Sequence, residues 1–276
     1  MERIIIIGGG ISGLSLAFLL QRQMPSTDLI ILEEGKRLGG KIWTDRTDGF
    51  LCEGGVNGFL NNKPKTLELA SELSLNPLRS NDAARKRFIF SGGQLHSLPE
   101  SPGAFFTSNL LSPWGRLRII YEVLAPRGKK EDESLAEFGR RRLGREAFEK
   151  LIDPMASGIY AGDPEKLSLK SCFPRINQLE TEYGSLIRAL LRLQMKAKRE
   201  GKKGPGPGPG GVLTSFYDGM ETFITALKNS LGEKVRPASK VVSVGKNNNR
   251  YSVVLENGST LESNTVVLAT PAHATA

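Results

Sequence analysis

The sequence predicts an α/β fold whose parallel sheet is interrupted, along the chain, by a mostly helical insertion. Residues 4–7 and 29–32 are short apolar runs, typical of strands that are buried on both faces. Residues 104–200 have the apolar spacing of helices, and strand-like segments return towards the carboxyl end. These changes of pattern divide the 276 residues into three parts: 1–84, 85–211 and 212–276.

The composition limits the kinds of binding or catalytic site that this sequence is expected to form. A net charge of +9 and a pI of about 9.6 favour anionic partners, but no zinc-finger spacing or RNA-recognition motif is present, so nucleic acid is not expected. Cys52 and Cys172 match no metal or redox spacing, and only His96 and His273 supply imidazoles. We therefore expect neither a metal site nor a Ser-His-Asp triad, and a cofactor is expected to carry the difficult chemistry.

The expected compartment is the cytoplasm. The sequence shows no signal-peptide pattern and no apolar run approaching the roughly 20 residues that span a bilayer. Its cysteine usage fits a reducing environment. The sequence does not decide the oligomeric state, and a homodimer is kept as a candidate assembly.

The residues after the first apolar run match the pattern G-x-G-x-x-G. Gly8, Gly10 and Gly13 occupy the glycine positions, and Ile11 and Ser12 open the helix that follows. Such glycines permit a tight turn, a close approach of the main chain to a pyrophosphate, and close packing of helix on strand. Free N–H groups at a helix N-terminus attract phosphates. The pattern predicts a Rossmann-like dinucleotide site, and a βαβ unit without a ligand is the alternative.

An acidic residue follows the second apolar run, as the dinucleotide pattern requires. Glu33 stands about twenty residues beyond Gly13, where a carboxylate accepts hydrogen bonds from ribose hydroxyls. Its charge would repel an additional 2′-phosphate, so NADP is disfavoured at this site. The neighbouring Glu34 is assigned to the same cofactor site.

Further glycines indicate a cofactor longer than NAD. Gly39 and Gly40 precede Lys41, and a second close approach of the main chain here suits a cofactor that lies across the sheet edge. The alternative is a pair of surface β-turns. A later segment is assigned to the same site by its glycines and their neighbours: Gly54, Gly55, Val56 and Asn57.

These motifs resemble those of the FAD enzymes that carry a glycine doublet after the first βαβ unit. That group includes amine oxidases, phytoene desaturases and protoporphyrinogen oxidases. Within it, the sequence looks most like the protoporphyrinogen oxidase family, through residues 85–102, 133–174 and 215–227. The resemblance implies a Rossmann-like FAD-binding domain that is split by a helical insertion for the substrate or the membrane.

The resemblance also implies an activity. Members oxidise a porphyrinogen, protoporphyrinogen IX or coproporphyrinogen III, to the porphyrin in haem biosynthesis. FAD accepts hydride, molecular oxygen reoxidises the flavin, and hydrogen peroxide is the by-product. Another glycine-doublet oxidase, of the amine oxidase or desaturase type, and a non-catalytic remnant are the alternatives.

The resemblance assigns substrate contacts to two residues of the middle part. Arg87 matches an arginine near a substrate propionate, although a plain surface charge is an equal alternative and Arg85 and Lys86 compete for the role. Gly158 matches a glycine of the catalytic cavity whose carbonyl lies near the macrocycle. From the local pattern alone, residues 158–163 form a loop between helices.

Other residues are assigned to the flavin by the same resemblance. Asn57 matches a polar position close to both flavin and substrate. Val241 and Val242 match a pair that lies against the adenine, and Ala269 belongs to a strand, residues 266–271, that runs beside the cofactor. Lys41 and Val56 depart from the family, whose members often have arginine and proline there, and relatives continue beyond Ala276.

Local patterns predict the remaining elements. Residues 88–98 form a hairpin around Gly92 and Gly93, and Ser134 with Glu137 forms a capping box. Helix breaks are expected at Pro113, Pro126, Pro154 and Pro164. In the last part, the pattern predicts a helix over 222–231, strands over 241–244, 251–256 and 265–269, and a turn at Asn257-Gly258.

Residues 185–200 predict a basic amphipathic helix, followed by a Gly-Pro linker over 201–211. The apolar side of this helix is predicted to carry Leu186, Ile187, Leu190, Leu191 and Leu193. Its basic side is predicted to carry Arg188, Arg192, Lys196 and Arg199. The pattern alone favours a core-facing helix with a solvated basic face. The family resemblance instead favours peripheral contact with a membrane.

Overall fold

A computed structural model describes most of the chain. It covers residues 2–81, 86–98, 108–128, 130–201, 211–248 and 250–275. The chain forms two compact units, Met1–Ser80 with Gly211–Ala276, and Asn81–Gly210. These bounds lie within a few residues of the predicted divisions, and the cofactor and substrate roles given to the parts stay predictions.

The first unit is built on a four-stranded parallel sheet. Its strands are β1 (Arg3–Ile7), β2 (Asp28–Leu32), β10 (Val235–Arg236) and β14 (Thr265–Leu268). Their order across the sheet is β10-β2-β1-β14. The helix α1 (Ile11–Gln23) connects β1 to β2 and makes the predicted βαβ unit. The predicted α/β class is confirmed.

Both faces of this sheet are covered, which explains why its central strands are apolar after their first residues, Arg3 and Asp28. On one face, Ile4 and Ile6 join a buried cluster with residues of α1 and of the helix α10 (Glu221–Leu231). On the other face, Ile5 and Ile7 pack against a three-stranded antiparallel sheet. Burying each such side chain contributes about 1.5–3 kcal/mol relative to exposure. Alternate side chains of β1 therefore serve two different cores.

The covering sheet has the order β11-β12-β13. Its strands are β11 (Val241–Asn247), β12 (Arg250–Leu255) and β13 (Thr260–Ser263). The Asn257-Gly258 turn connects β12 to β13 as predicted, with Gly258 at φ +82°. The strand β13 was missed because its sequence, TLES, has one aliphatic residue and no clear alternation.

Short strands complete the first unit around the predicted glycine segments. A hairpin pairs β3 (Thr44–Thr47) with β4 (Phe50–Glu53), and α2 (Pro64–Glu72) follows. A small sheet places β9 between two partners that precede and follow α2. These strands are β5 (Phe59–Leu60), β6 (Leu78–Arg79) and β9 (Leu213–Ser215).

The second unit is mostly helical. Its helices are α3 (Pro113–Ile120), α4 (Leu135–Leu143), α5 (Arg145–Ala147), α6 (Asp153–Tyr160), α7 (Leu169–Cys172), α8 (Pro174–Tyr183) and α9 (Leu186–Arg199). The predicted hairpin is present as β7 (Phe88–Ser91) and β8 (Gln94–Ser97). Ser134 and Glu137 form the predicted capping box at the start of α4.

A buried ion network holds the helices of this unit together. Arg142 is fully buried and pairs with Glu122 and Glu180. Burial raises the pKa of Glu180, but hydrogen bonds from Arg141 and Arg142 outweigh it and hold that pKa below its ordinary value of 4.5. Glu122 also accepts hydrogen bonds from Ser185 Oγ at 2.6 Å and from the first N–H groups of α9.

Three predictions for this unit are wrong in detail: the helix break at Pro154, the loop over residues 158–163, and the width of the apolar side of α9. The helix does not break at Pro154, because the π-helical turn Phe148–Ile152 runs directly into α6, whose first turn contains Pro154. Gly158 lies in the last turn of α6, so the loop begins only at Ala161, which adopts a left-handed conformation.

The apolar side of α9 is also narrower than predicted. Ala189 is buried, and Leu186 packs against the helical core. Leu190 and Leu191 are 40% and 54% exposed. The helix therefore has a narrow core-facing stripe and, beside it, an exposed apolar stripe. Within the described ranges, no helix is long and apolar enough to cross a membrane.

Candidate cofactor site

The turn between β1 and α1 has the geometry that binds a phosphate. Gly8 adopts φ +114°, and a β-carbon there would lie 2.9 Å from the carbonyl oxygen of Ala269. A β-carbon at Gly13 would overlap the carbonyl oxygen of Gly8, so the helix can pack on the strand only with glycine at that position. Both glycines are thus required by the fold.

Gly10 differs from its neighbours because the fold does not require it. A β-carbon at Gly10 would meet no protein atom within 4 Å, and φ −75° is open to any residue. Gly10 is also the N-cap of α1, where no side chain accepts a hydrogen bond from the helix. Ile11 and Ser12 begin the helix, so its uncapped N–H groups are available to an anion. These residues fit a pyrophosphate.

Glu33 connects this turn to the end of β2. Its carboxylate accepts hydrogen bonds from the N–H of Gly9 at 2.7 Å and from the N–H of Gly35 at 2.9 Å. A carboxylate has about four lone-pair sites, so acceptor capacity remains for ribose hydroxyls. The ribose contact stays a prediction, and Glu34 is exposed beside it.

The glycine doublet lies directly against the phosphate turn. Gly39 donates its N–H to the carbonyl oxygen of Gly9 at 2.8 Å and forms a parallel bridge with Gly10. Gly39 and Gly40 adopt φ +101° and +57°, and a β-carbon at Gly40 would lie 3.5 Å from Cα of Gly10. The structure thus places together the two glycine motifs that the sequence separates by a whole βαβ unit.

A second glycine segment joins the doublet through short main-chain contacts. The N–H of Val56 donates to the carbonyl oxygen of Lys41, and a β-carbon at Gly55 would overlap that oxygen. A β-carbon at Gly54 would overlap the indole of Trp43. Lys41, Val56 and the next residue, Asn57, are exposed. Their contacts with flavin stay predictions.

Residues from the late part of the chain border the same site. The segment before β11 donates to the end of β2, because the N–H groups of Ala238 and Ser239 bond the carbonyls of Gly35 and Glu33. This pairing brings Val241 and Val242, at the start of β11, towards the acid that is predicted to bind the ribose. Val242 is 54% exposed, which leaves its side chain accessible to a ring.

Of the residues assigned to substrate, Asn57 lies in the first unit, and Arg87 and Gly158 belong to the second. Arg87 is exposed and precedes β7, where its carbonyl accepts the N–H of Leu98 at 2.8 Å. Gly158 is exposed on α6, and a β-carbon there would meet no atom within 4 Å. Their contacts with a porphyrinogen stay predictions. Arg85, a competing candidate, lies outside the described residues.

Sequence reasoning missed several residues that shape the site without belonging to a glycine motif. Glu53 accepts hydrogen bonds from Thr44 Oγ1 at 2.9 Å and from the N–H of Met220 at 2.7 Å. Thr44 also accepts the N–H of Glu221 at 3.0 Å. The β3–β4 hairpin is thereby fixed to the N-terminus of α10. Glu53 and Met220 lie 167 residues apart in the sequence, and Thr44 and Glu221 lie 177 apart, so no local signal identifies these pairs.

A parallel sheet with a glycine turn after β1, an acid after β2 and a glycine doublet against that turn defines a dinucleotide-binding flavoprotein. The family model described as flavin containing amine oxidoreductase matches residues 11–276. The chain therefore belongs to this family of FAD-dependent oxidoreductases, and the predicted cofactor, FAD, is confirmed.

The curated relatives include porphyrinogen oxidases. Coproporphyrinogen III oxidase of Bacillus subtilis is 33% identical over 100% of this chain and 61% of its own length. Protoporphyrinogen oxidase 1 of Arabidopsis thaliana is 33% identical over 98% of this chain and 52% of its own length. The chain thus spans little more than half the length of these relatives.

A solved structure has the same fold. A crystal structure of a candidate protoporphyrinogen oxidase from Exiguobacterium sp. 255-15 superposes with a TM-score of 0.75 and 29% identity. The match covers 98% of this chain and 59% of the other. The predicted resemblance to the protoporphyrinogen oxidases within this family is confirmed.

Proposed function

We propose that this chain takes part in the oxygen-dependent oxidation of a porphyrinogen, coproporphyrinogen III or protoporphyrinogen IX, to the corresponding porphyrin. The observation that carries the proposal is the 33% identity to a coproporphyrinogen III oxidase across the whole of this chain. Chloroplast protoporphyrinogen oxidases match almost as completely, so both substrates are retained.

The chain's own residues supply binding and placement in this proposal. The bound FAD would supply the hydride-acceptor chemistry: each two-electron oxidation of the substrate would reduce one oxygen molecule to hydrogen peroxide, and three such oxidations would convert a porphyrinogen to its porphyrin. The uncapped N-terminus of α1 binds the pyrophosphate, and Glu33 binds the ribose. Arg87 neutralises a substrate propionate as a bidentate donor. The main-chain carbonyl of Gly158 lies along the macrocycle.

Turnover of defined substrates tests the activity. The purified chain is first titrated with FAD and then given coproporphyrinogen III or protoporphyrinogen IX under air, with porphyrin fluorescence and peroxide as readouts. We expect porphyrin and peroxide to form together. A panel of amines run in parallel tests the amine oxidase alternative. FAD binding without turnover of either porphyrinogen would refute the proposed reaction and leave a non-catalytic flavoprotein.

The role of Arg87 has a matched control in the adjacent residue. Arg87→Met and Lys86→Met each remove one exposed positive charge from the same segment. If Arg87 binds a propionate, Arg87→Met raises KM for the porphyrinogen by about tenfold or more, while Lys86→Met changes KM less than about twofold. Small and equal effects of the two variants would reduce Arg87 to a surface charge, and a larger rise in KM for Lys86→Met would give the propionate role to Lys86.

We further propose peripheral contact with an anionic membrane, within a cytoplasmic setting. The helical unit exposes large apolar side chains on α3 and α9, among them Trp114 at 79% and Met195 at 56%. Basic residues of α9 border its exposed apolar stripe: Arg188, Arg192 and Arg199. An apolar face beside a basic face supports binding at a lipid surface.

Vesicle co-sedimentation tests this contact. Leu191→Ser with Met195→Ser should reduce binding to anionic vesicles, whereas Leu95→Ser on β8, where the side chain is 69% exposed, should not. Equal loss in both variants, or equal binding to neutral vesicles, would count against a specific surface.

A homodimer is proposed as the assembly, and sedimentation equilibrium without vesicles tests it.

A further inference from the structure

The guanidinium of Arg37 donates hydrogen bonds to main-chain carbonyls of the loop that contains the glycine doublet. Its Nη1 donates to the carbonyl oxygens of Leu38 at 3.0 Å and Ile42 at 2.9 Å. Its Nη2 donates to the carbonyl oxygen of Gly40 at 2.6 Å. One guanidinium therefore binds three carbonyls of a five-residue loop, and no other described side chain holds this loop in a comparable way.

The same guanidinium contacts the aromatic ring that follows the loop. Cζ of Arg37 lies 5.0 Å from the ring centroid of Trp43, within the range of a cation–π interaction. The indole of Trp43 covers Gly54, and the N–H of Gly54 donates to the carbonyl oxygen of Trp43 at 3.1 Å. Arg37 and Trp43 together connect the doublet to the second glycine segment.

The doublet in turn fixes the phosphate turn. Gly39 bonds the carbonyl of Gly9, and Gly40 approaches Gly10, the one glycine of the turn that the fold itself leaves free. A displacement of the doublet therefore moves the main chain on which the pyrophosphate is expected to lie. Arg37 is thereby connected to the phosphate turn through the doublet.

The chemistry of the loop explains why arginine is required. Gly39 and Gly40 both have positive φ and no side chains that could hold them. Three carbonyls need a planar group with several N–H donors in a fixed geometry, which guanidinium supplies. A lysine ammonium keeps the charge, but its three N–H donors radiate from one nitrogen and do not match the fork that the three oxygens require.

We propose that Arg37 is a positioning residue for FAD, which holds the glycine doublet against the phosphate turn so that the main chain there is preorganised for the pyrophosphate. The inference depends on FAD as the cofactor. It adds a residue to the site that the glycine pattern does not include.

Three variants in one background test this role. The sequence has two tryptophans, so Trp114→Phe leaves Trp43 as the only fluorescent indole beside the loop. In this background we compare Arg37→Met, Arg37→Lys and Lys36→Met, the last of which removes an exposed charge at the adjacent position. Each protein is titrated with FAD, and the emission of Trp43 and the thermal midpoint are recorded without FAD.

We expect both Arg37 variants to bind FAD at least about tenfold more weakly, with Lys36→Met within about twofold of the background. Because the cation beside the indole is lost, Arg37→Met should also shift the emission of Trp43, which Lys36→Met should leave unchanged. In a fourth variant of the same background, Arg37→Ala, millimolar guanidinium should restore FAD affinity, whereas the same concentration of sodium chloride should not.

Different failures have different meanings. If the background protein binds FAD and Arg37→Met binds it equally well, or if Arg37→Lys restores affinity, the positioning role is refuted and the cofactor assignment stands. If the background protein does not bind FAD, the cofactor assignment fails for this chain and the positioning proposal fails with it.

Discussion

A β-carbon at Gly13 would overlap the carbonyl oxygen of Gly8, so strand β1 and helix α1 meet at a distance that only glycine permits. The same contact sets the angle at which the helix N-terminus leaves the sheet. At Gly10, between the two, a β-carbon would meet no protein atom within 4 Å. The turn therefore contains glycines of two kinds, which substitutions can separate.

Gly13→Ala should destabilise the fold by about 1–3 kcal/mol, because the added methyl group must displace either the helix or the turn. Urea denaturation monitored by circular dichroism measures the change. Ser15→Ala on the same helix is the control and should stay close to the unaltered chain. An alanine at position 13 without cost would mean that helix and strand do not approach as described.

Glu33→Gln keeps the size of the side chain but replaces one acceptor oxygen with a donor. One of its bonds to the N–H groups of Gly9 and Gly35 is lost, at a cost of about 1–3 kcal/mol, and FAD should bind more weakly. Chemical denaturation and FAD titration measure the two effects. Glu34→Gln, at the exposed neighbouring position, should alter neither if Glu33 is the acid that matters.

Glu122→Ala should destabilise the helical unit by about 3–5 kcal/mol. It leaves the guanidinium of Arg142 fully buried with one carboxylate partner fewer, and it removes the acceptor for the first N–H groups of α9. Urea denaturation provides the measurement. Glu149→Ala, which breaks an exposed pair with Arg145, should leave the midpoint unchanged. Similar midpoints for both variants would contradict the buried network.

Stability at acid pH should depend on Glu146. Burial raises the pKa of its carboxyl, but hydrogen bonds from the Ser112 hydroxyl and N–H and from Lys150 outweigh it and hold the pKa at about 2, against an ordinary 4.5. A carboxyl whose pKa is lower in the folded state stabilises the protein above its unfolded pKa. That contribution is lost as the pH falls through the folded pKa.

The unaltered chain should therefore lose this contribution between about pH 4.5 and pH 2, while Glu146→Gln lacks it at every pH. The difference in unfolding free energy between the two proteins should be constant above about pH 5 and shrink below it. Urea titrations at several pH values measure that difference. A difference that is independent of pH down to about 2 would contradict the lowered pKa.

The sequence predicted the parts of the site that depend on short-range pattern. The glycine turn, the buried strands and the acid after β2 follow one another closely, so their spacing carries the information. The capping box at Ser134 and the hairpin around Gly92 were predictable for the same reason.

The rest depends on contacts between distant segments. Nothing near Arg37 in sequence indicates that its guanidinium binds three carbonyls, because the fold of the loop decides that. Glu53 lies next to a glycine motif but serves the N-terminus of α10. The predicted helix break at Pro154 is wrong, since no local pattern in the sequence marks the π-helical turn before it.

Titration of FAD into the unaltered chain and into Gly10→Val tests the central claim most directly. A β-carbon at position 10 would meet no protein atom within 4 Å, so the fold should keep its thermal midpoint within a few degrees. The side chain would occupy the space where the pyrophosphate approaches the main chain, so FAD should bind at least about tenfold more weakly. Equal affinity of the two proteins for FAD would contradict the assignment of this turn to the cofactor.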